Sequence, residues 1–495
     1  MNTNLLTIGA PSSDRQRWLA LVVICFGQFM VVVDGTIVNV ALPAIQRDLR
    51  FSQADLTWVV NAYLITFGSL LLLAGRAGDL IGRRKVFLAG LVLFTAASVL
   101  CGFAQSPATL VAARFLQGAG GALSTGVILA LIVTGFPKPA ERAKAMSVFT
   151  FVIAGGGSIG LLAGGLLTEW VNWHWIFFIN LPIGIATLVM GALLIDETEG
   201  IGLRQGVDIA GSVLVTTAMV LGVYSIVTAA DYGWGSVHTL GFGAASLVLL
   251  GSFLVLEARL VNPIMPLRIL RIRTLIGASV ARSMLATGMF ATFFLGTLYL
   301  QQVRGYSAFG TGLAFLPWSV ALGILSLGIT ANLMRRFGPR RILIPGMAAI
   351  ILALAMMANA GDNASYFPWL FGAYVLFGIG AGTSFMPLIT IAMSEVPPQD
   401  AGLASGIANV TMQISAAIGL AALGTISTDH TRALAAQGFS LPVALTGGYQ
   451  FAFGIAAACV AVGLLVALVV LRSRGGRQDA TISRRVLSEG AAEAA

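Results

Sequence analysis

Residues 75–85 read GRAGDLIGRRK, with one acid and four bases packed between two long apolar runs. An ionised side chain is expensive in hydrocarbon, so a chain of apolar runs gathers its charges where it leaves the bilayer. Gly75, Gly78 and Gly82 suit a sharp turn between two helices. Arg76, Arg83, Arg84 and Lys85 put that turn on the cytoplasmic side. Charge alone leaves open whether the stretch does more than set topology.

Composition agrees with a polytopic membrane protein. Of 495 residues, 57% are hydrophobic and 10% charged, too apolar for the surface of a soluble protein of this length. Fourteen apolar runs of about 20 residues stand between charge or turn clusters: 18–41, 55–74, 86–104, 108–134, 145–167, 175–195, 208–229, 237–256, 275–299, 308–333, 341–360, 366–389, 403–425 and 450–471. With the N-terminus inside, cytoplasmic segments hold 23 of the 29 Lys and Arg residues, 20 of them in clusters at 76–85, 138–144, 259–273, 335–341 and 472–485. The outer loops hold Arg47, Arg50, Arg304 and Arg432, while Arg114 and Arg282 fall inside spans 4 and 9. An odd number of spans would destroy this asymmetry, so both termini are expected in the cytoplasm. The polar tail 472–495 is expected to be disordered. The first run carries Asp34, is too long for a signal peptide and lacks an A-x-A site, which leaves 1–17 as a cytoplasmic segment before span 1.

Several classes of chemistry find no support. The formal charge of +9 is explained by orientation in the membrane, so nucleic acid is not an expected partner. Cys25, Cys101 and Cys459 lie in apolar runs and read as small hydrophobes. His174, His238 and His430 are scattered over short loops, so no metal site is expected. Lysine occurs only at 85, 138 and 144, never after a glycine, which excludes a Walker A loop and ATP hydrolysis of that type. No catalytic cluster is visible, so the chain reads as a non-enzyme without cofactor.

The runs repeat. FSQADL at 51–56 matches YSAFGT at 306–311, Gly82-Arg83-Arg84 matches Gly338-Pro339-Arg340, LQGAGGA at 116–122 matches LFGIGAG at 376–382, and Glu141 matches Asp400. Four matches in order, all offset by about 255 to 260 residues, imply two six-helix bundles at 18–195 and 275–471. The pair of helices at 208–256 is left over as an insertion between them.

The spacing of Gly75, Asp79, Gly82, Arg83, Arg84 and Lys85 resembles the G-x-x-x-D-x-x-G-R-R/K loop of the major facilitator superfamily. WVVNAYLI at 58–65 and WHWIFFINLPIG at 173–184 narrow the resemblance to its 14-span drug:proton antiporters. The resemblance implies an all-α membrane protein of major facilitator fold, two six-helix bundles plus two inserted transmembrane helices. It implies a gating role for the 75–85 loop. It ties Arg114, with Gln117 and Gly118 of span 4, to proton coupling. Gly156, Gly160, Gly164 and Gly165 of span 5 resemble the antiporter signature G-x-x-x-G-P-x-x-G-G, with Leu161 in place of the proline. Their spacing puts glycines on one face for close helix approach, which a generic packing face would also explain.

Asp34, in VVVDGTIVNVALP, is the one acid placed deep inside a span. An ionisable group at such depth is a candidate for function, although a permanently bonded structural carboxylate gives the same sequence. At a rise of 1.5 Å per residue, Asp34 lies roughly 13 Å and Arg114 roughly 10 Å below the outer surface, level enough to meet. Arg282 serves equally as an anchor or as a lining of the substrate path, for which Asn39, Asn61 and Tyr63 are further candidates. The expected function is export of small amphipathic or drug-like molecules driven by the proton gradient, by a monomer in a bacterial cell membrane. A proton-linked nutrient symporter or facilitator is the nearest alternative, and a membrane sensor or enzyme a remote one.

Overall fold

The computed structural model describes residues 14–197, 200, 209–260, 271–396 and 401–470. Asp400, the tail from Arg472 and most of the basic cluster 259–273 lie outside these residues. Helix is the form in which an apolar run satisfies its own backbone in a bilayer, and the described residues contain helices and no strands. The first set is α1 (Asp14–Leu49), α2 (Trp58–Ile81), α3 (Arg83–Gly102), α4 (Pro107–Gly135), α5 (Pro139–Trp170), and α6 (Trp175–Phe178) followed by α7 (Asn180–Leu194). A pair comes next, α8 (Ile209–Tyr232) and α9 (Val237–Arg259). The second set is α10 (Arg273–Leu298), α11 (Ala308–Ile324), α12 (Thr330–Phe337), α13 (Pro339–Ala358), α14 (Phe371–Met393), α15 (Ala401–Ala436) and α16 (Leu441–Val470).

Each expected span falls on one helix or one helix pair. Ten described helices are long and apolar enough to cross a membrane, eleven if the bent pair Asp55–Leu71 and Leu73–Ile81 counts as one. Several helices outrun the expected boundaries: α15 continues to Ala436 and α16 starts at Leu441, where 425 and 450 were expected. Hydrophobicity marks where a helix leaves the lipid, whereas its backbone bonds continue into the interface. Helix starts follow local chemistry. Ser106 and Thr109 form a reciprocal capping box ahead of Pro107 at the start of α4, and Ser307 accepts from Gly310 N at the start of α11.

The two sets pack alike. α1 lies against α5 and α7 as α10 lies against α15 and α16, and α4 lies against α2 and α3 as α14 lies against α11 and α13. The likeness extends to single residues. A methyl on Gly120 would stand 2.7 Å from Phe94 Cα, and one on Gly380 would stand 3.0 Å from Ile350 N, each at the crossing with the preceding helix hairpin. Across the middle of the molecule α2 meets α15, and α5 meets α11. α8 packs on α9 and also on both α2 and α15, with Thr216 Oγ1 donating to Ser69 Oγ at 3.0 Å. At the outer end Arg432 bonds Asp231 at 2.9 Å, and Trp234 Nε1 donates to Asp429 at 3.0 Å.

Among the described residues, the hydrogen bonds that join the first set to the second lie in the outer half. Gln302 Nε2 donates to Gln46 at 2.7 Å and Gln53 Nε2 donates to Tyr449 Oη at 2.9 Å, while Tyr449 Oη donates within the second set to Gln302 at 2.9 Å. Gln301 Nε2 donates to the Val40 carbonyl at 2.8 Å, and Phe309 N donates to Glu169 at 2.9 Å. The molecule is therefore closed on its outer side, largely by neutral amides.

Tyr449→Phe removes one of these bonds, that from Gln53, worth about 1 kcal/mol, and with it the tie that holds Gln302 to α16. With spin labels at Ser52 and Ser440 in a cysteine-free background, the variant is expected to shift the balance toward the longer distance about fivefold. An unchanged distance distribution would show that the amides do not hold the closure.

Candidate functional site

Asp34 of α1 and Arg114 of α4 meet in the middle of the first set. Both are buried, at 0% and 1% exposure, and Arg114 Nη1 stands 2.6 Å from Asp34 Oδ2. The other carboxylate oxygen accepts from Gln117 Nε2 at 2.7 Å and from Asn180 Nδ2 at 3.1 Å. Arg114 Nη1 also donates to Gln117 Oε1 at 2.7 Å, and its Nε donates to the Val59 carbonyl at 2.9 Å. Gln117 and Asn180 both donate to Ser98 Oγ, at 3.1 and 2.9 Å, and Ser98 Oγ donates to the Phe177 carbonyl. The guanidinium lies 4.5 Å above the Tyr63 ring.

Helix geometry explains the convergence. Arg114 and Gln117 are three residues apart and so share one face of α4. Gly118 lets α4 close on the Tyr63 backbone and the Thr66 hydroxyl of α2, since a methyl there would lie 3.1 Å from Tyr63 C. From the other side α5 comes onto α1 next to Asp34. Methyls on Gly156, Gly160 and Gly164 would reach Val32 Cγ1 at 3.1 Å, Val33 O at 2.9 Å and Ile37 O at 2.7 Å. Gly165 does not share that face: it meets Phe309 Cα of α11 at 2.7 Å, across the junction between the sets. The stripe of four glycines expected from sequence is thus three against α1 and one against α11, because a helix turns 100° between Gly164 and Gly165. Leu161 is fully buried at the same junction, its carbonyl beside Gly312, and α5 runs unbroken from Pro139 to Trp170.

The arrangement couples charge to position. As an ion pair, Asp34 and Arg114 are neutral together; a proton on Asp34 would leave Arg114 as an uncompensated buried cation. Protonation and the present seating of Arg114 therefore exclude one another energetically, since an unpaired buried charge costs about 3–5 kcal/mol.

The 75–85 stretch differs in detail from its reading as a turn set by three glycines. α2 continues to Ile81 and α3 begins at Arg83, so Gly75 and Gly78 are helical and the turn rests on Gly82 alone, at φ 108°. Charged side chains mark the exit from lipid without ending the helix, and Gly78 instead admits Val127 of α4. Arg83 bonds Asp79 Oδ1 through Nη2 at 3.0 Å and Nε at 3.2 Å, and reaches the Ala130 carbonyl at 3.5 Å. Lys85 Nζ lies 2.8 Å from Glu197 and Arg84 Nη1 lies 3.4 Å from it. The Lys85 ammonium, by hydrogen bond and by charge, holds the Glu197 carboxyl below its usual range. Among the described residues, these partners all belong to the first set.

The other candidates separate. Asn39 is spent on its own helix, donating to the Gly35 carbonyl at 2.9 Å. Tyr63 joins the Arg114 cluster through its ring, while Asn61 is fully buried with both amide atoms unpartnered. Arg282 stands apart in α10, bonded to Asn409 of α15 at 3.0 Å. Sequence reading missed Asn180, Ser98 and the outer glutamines. Asn180 sits inside WHWIFFINLPIG, and the adjacent Gln301 and Gln302 at the end of an apolar span were a visible signal.

Two outcomes follow for the periphery. The Asp79–Arg83 pair is partly exposed and contributes at most about 1 kcal/mol to stability, so Asp79→Asn should leave insertion and melting nearly unchanged. A loss of transport beyond tenfold in that variant would then report gating, and full transport would reduce the loop to a topological signal. At the solvent-exposed outer rim, hydrogen bonds from Ser307 and the Phe309 amide hold the Glu169 carboxyl below its usual range. Its contribution to closure is present above the free carboxylate pKa and is lost as external pH falls through the lowered value. Acid should therefore open the outer side, and Glu169→Gln should abolish that response, as read from the spin-label distance.

The Major Facilitator Superfamily model matches residues 24–420. The chain is 37% identical over 460 residues to the puromycin resistance protein pur8 of Streptomyces alboniger, covering 92% of this chain and 91% of that one. It is 34% identical over 469 residues to the cephamycin export protein CmcT of Amycolatopsis lactamdurans, covering 94% and 95%. In fold it is similar to a bacterial homolog of the human lysosomal transporter Spinster, in an inward-facing and occupied conformation, with TM-score 0.66 at 14% identity over 93% of this chain and 98% of that one. With this match over most of its length, the chain belongs to the Major Facilitator Superfamily.

Proposed function

We propose that the protein is a proton-coupled exporter of small amphipathic or drug-like molecules, alternating between outer and inner access. The observation that carries the reading is Asp34, wholly buried with both oxygens held by Arg114, Gln117 and Asn180. The names of the two relatives, a resistance protein and an export protein, give the direction. In the outward-open state a proton reaches Asp34 and frees Arg114; after the outer side closes, the proton leaves toward the cytoplasm and the pair re-forms. The outer-closed structure with the pair intact corresponds to the end of that sequence. The bundles 18–195 and 275–471 rock about this site with the pair 208–256 beside them, in fourteen spans with both termini inside. A monomer suffices, and the proton gradient replaces any cofactor. Gly75, Asp79, Gly82, Arg83, Arg84 and Lys85 serve as the inner gate. Leu161, in place of the antiporter proline, keeps one second reading in view, import of a nutrient by the same pair. The direction of pH-driven flux in vesicles separates the two.

A susceptibility panel of toxic amphipathic compounds, in cells with and without the protein, identifies a substrate. Adding it to detergent-solubilised protein with a pH dye should release about one proton per molecule if Asp34 is the single coupling acid. Asp34→Asn should abolish this release and uphill export, and Asp34→Glu should keep part of both. Because the Asn variant strands Arg114 at a cost of about 3–5 kcal/mol, its folding is checked by substrate binding. Undiminished release would place the coupling acid elsewhere.

A further inference from the structure

The mechanism above uses one buried arginine and leaves another unexplained. Arg282 lies nine residues into α10 from Arg273, about 13 Å along the helix at 1.5 Å per residue. Among the described residues its one hydrogen bond runs from Nη2 to Asn409 Oδ1 at 3.0 Å, and its buried Nε finds no partner there. Among the described residues no carboxylate pairs with it. Arg114, buried from the opposite face, has Asp34; the second set supplies Arg282 with an amide alone. An amide oxygen orients a guanidinium without cancelling its charge. Membrane-embedded cations are ordinarily paired or placed on a ligand path.

The position fits a path. Asn409 lies one turn toward the cytoplasm from Gln413, whose Cβ is 2.9 Å from a methyl placed on Gly68 of α2, so the pair sits one turn below a point where the two sets touch. Arg282 is half-buried. Met289 and Phe293, also half-buried, follow on the same face of α10 at seven and eleven residues. A fixed cation followed by a thioether and an aromatic ring complements a molecule with an acidic end and an apolar body. Guanidinium is the group best suited to a carboxylate, which it grips with two parallel bonds.

We propose that Arg282, oriented by Asn409, receives an anionic group of the transported molecule, so that amphipathic acids are the favoured substrate class. This rests on the reading of the protein as a transporter of small molecules. The missing countercharge of Arg282 is then brought by the ligand and lost when the ligand leaves.

The test is binding, which is independent of export. Two xanthene dyes of similar shape and opposite charge, carboxyfluorescein and rhodamine 6G, are titrated by fluorescence anisotropy against the full-length protein in detergent. The wild type is expected to favour carboxyfluorescein. Arg282→Gln should lower the ratio of anion to cation affinity by about tenfold to a hundredfold, the loss of a charged hydrogen-bonded contact. Arg282→Lys should restore part of that ratio, and Asn409→Ala should reduce it by less than Arg282→Gln. A wild type with no preference for the anion, or a Gln variant with an unchanged ratio, would overturn the proposal. If the Arg282-dependent preference holds but neither dye is exported down a pH gradient in vesicles, the proton-driven export reading fails and this one stands.

Discussion

A carboxylate in the middle of a bilayer is tolerable only while something cancels its charge, and Asp34 has Arg114 at 2.6 Å to do so. Much of the first set is arranged by that requirement. The ion pair alone leaves a carboxylate oxygen and several N–H groups to satisfy. Gln117, Asn180 and Ser98 complete the set, which draws α3, α4 and α7 onto α1. Glycines on α4 and α5 remove the side chains that would keep these helices apart. The outer amides then close the far side without adding charge to the interior.

Much of this was legible in the chain. The apolar runs fixed the order of helices, and the depth estimate brought Asp34 and Arg114 level before any contact was known. What remained hidden has physical causes. Asn180 stood out in no pattern, because a single polar residue in an apolar run carries no periodic signal. The glutamine closure joins residues as far apart in sequence as Gln53 and Tyr449, which no local pattern can pair. Helix ends were misplaced wherever charge was used as the marker, as at Gly75 and Gly78. The split of Gly165 from its neighbours needed the partner helices to be known.

The two sets share a scaffold but not an interior. Where Gly120 and Gly380 hold equivalent crossings, Arg114 has Tyr374 as its counterpart at the same offset, and Gln117 has Phe377. Tyr374 packs 4.9 Å from Phe315, and Trp318 packs 4.6 Å from Phe377, ring centre to ring centre. One half thus builds its core from an ion pair and amides, the other from aromatic rings. A repeat fixes how helices cross; the side chains in the crossings are free to diverge.

The α8–α9 pair makes the flanks of the molecule unequal. The two sets meet along α2–α15 and along α5–α11, and α8 runs beside the first of these seams while bonding Ser69 of α2. Acyl chains are thereby kept off the α2–α15 seam by protein. α9 turns Leu240, Leu247 and Val248 outward, so the greasy perimeter is rebuilt one helix layer further out on that side. Rocking of the halves must shear α2 or α15 against α8, a solid surface, whereas α5 and α11 part in a fluid.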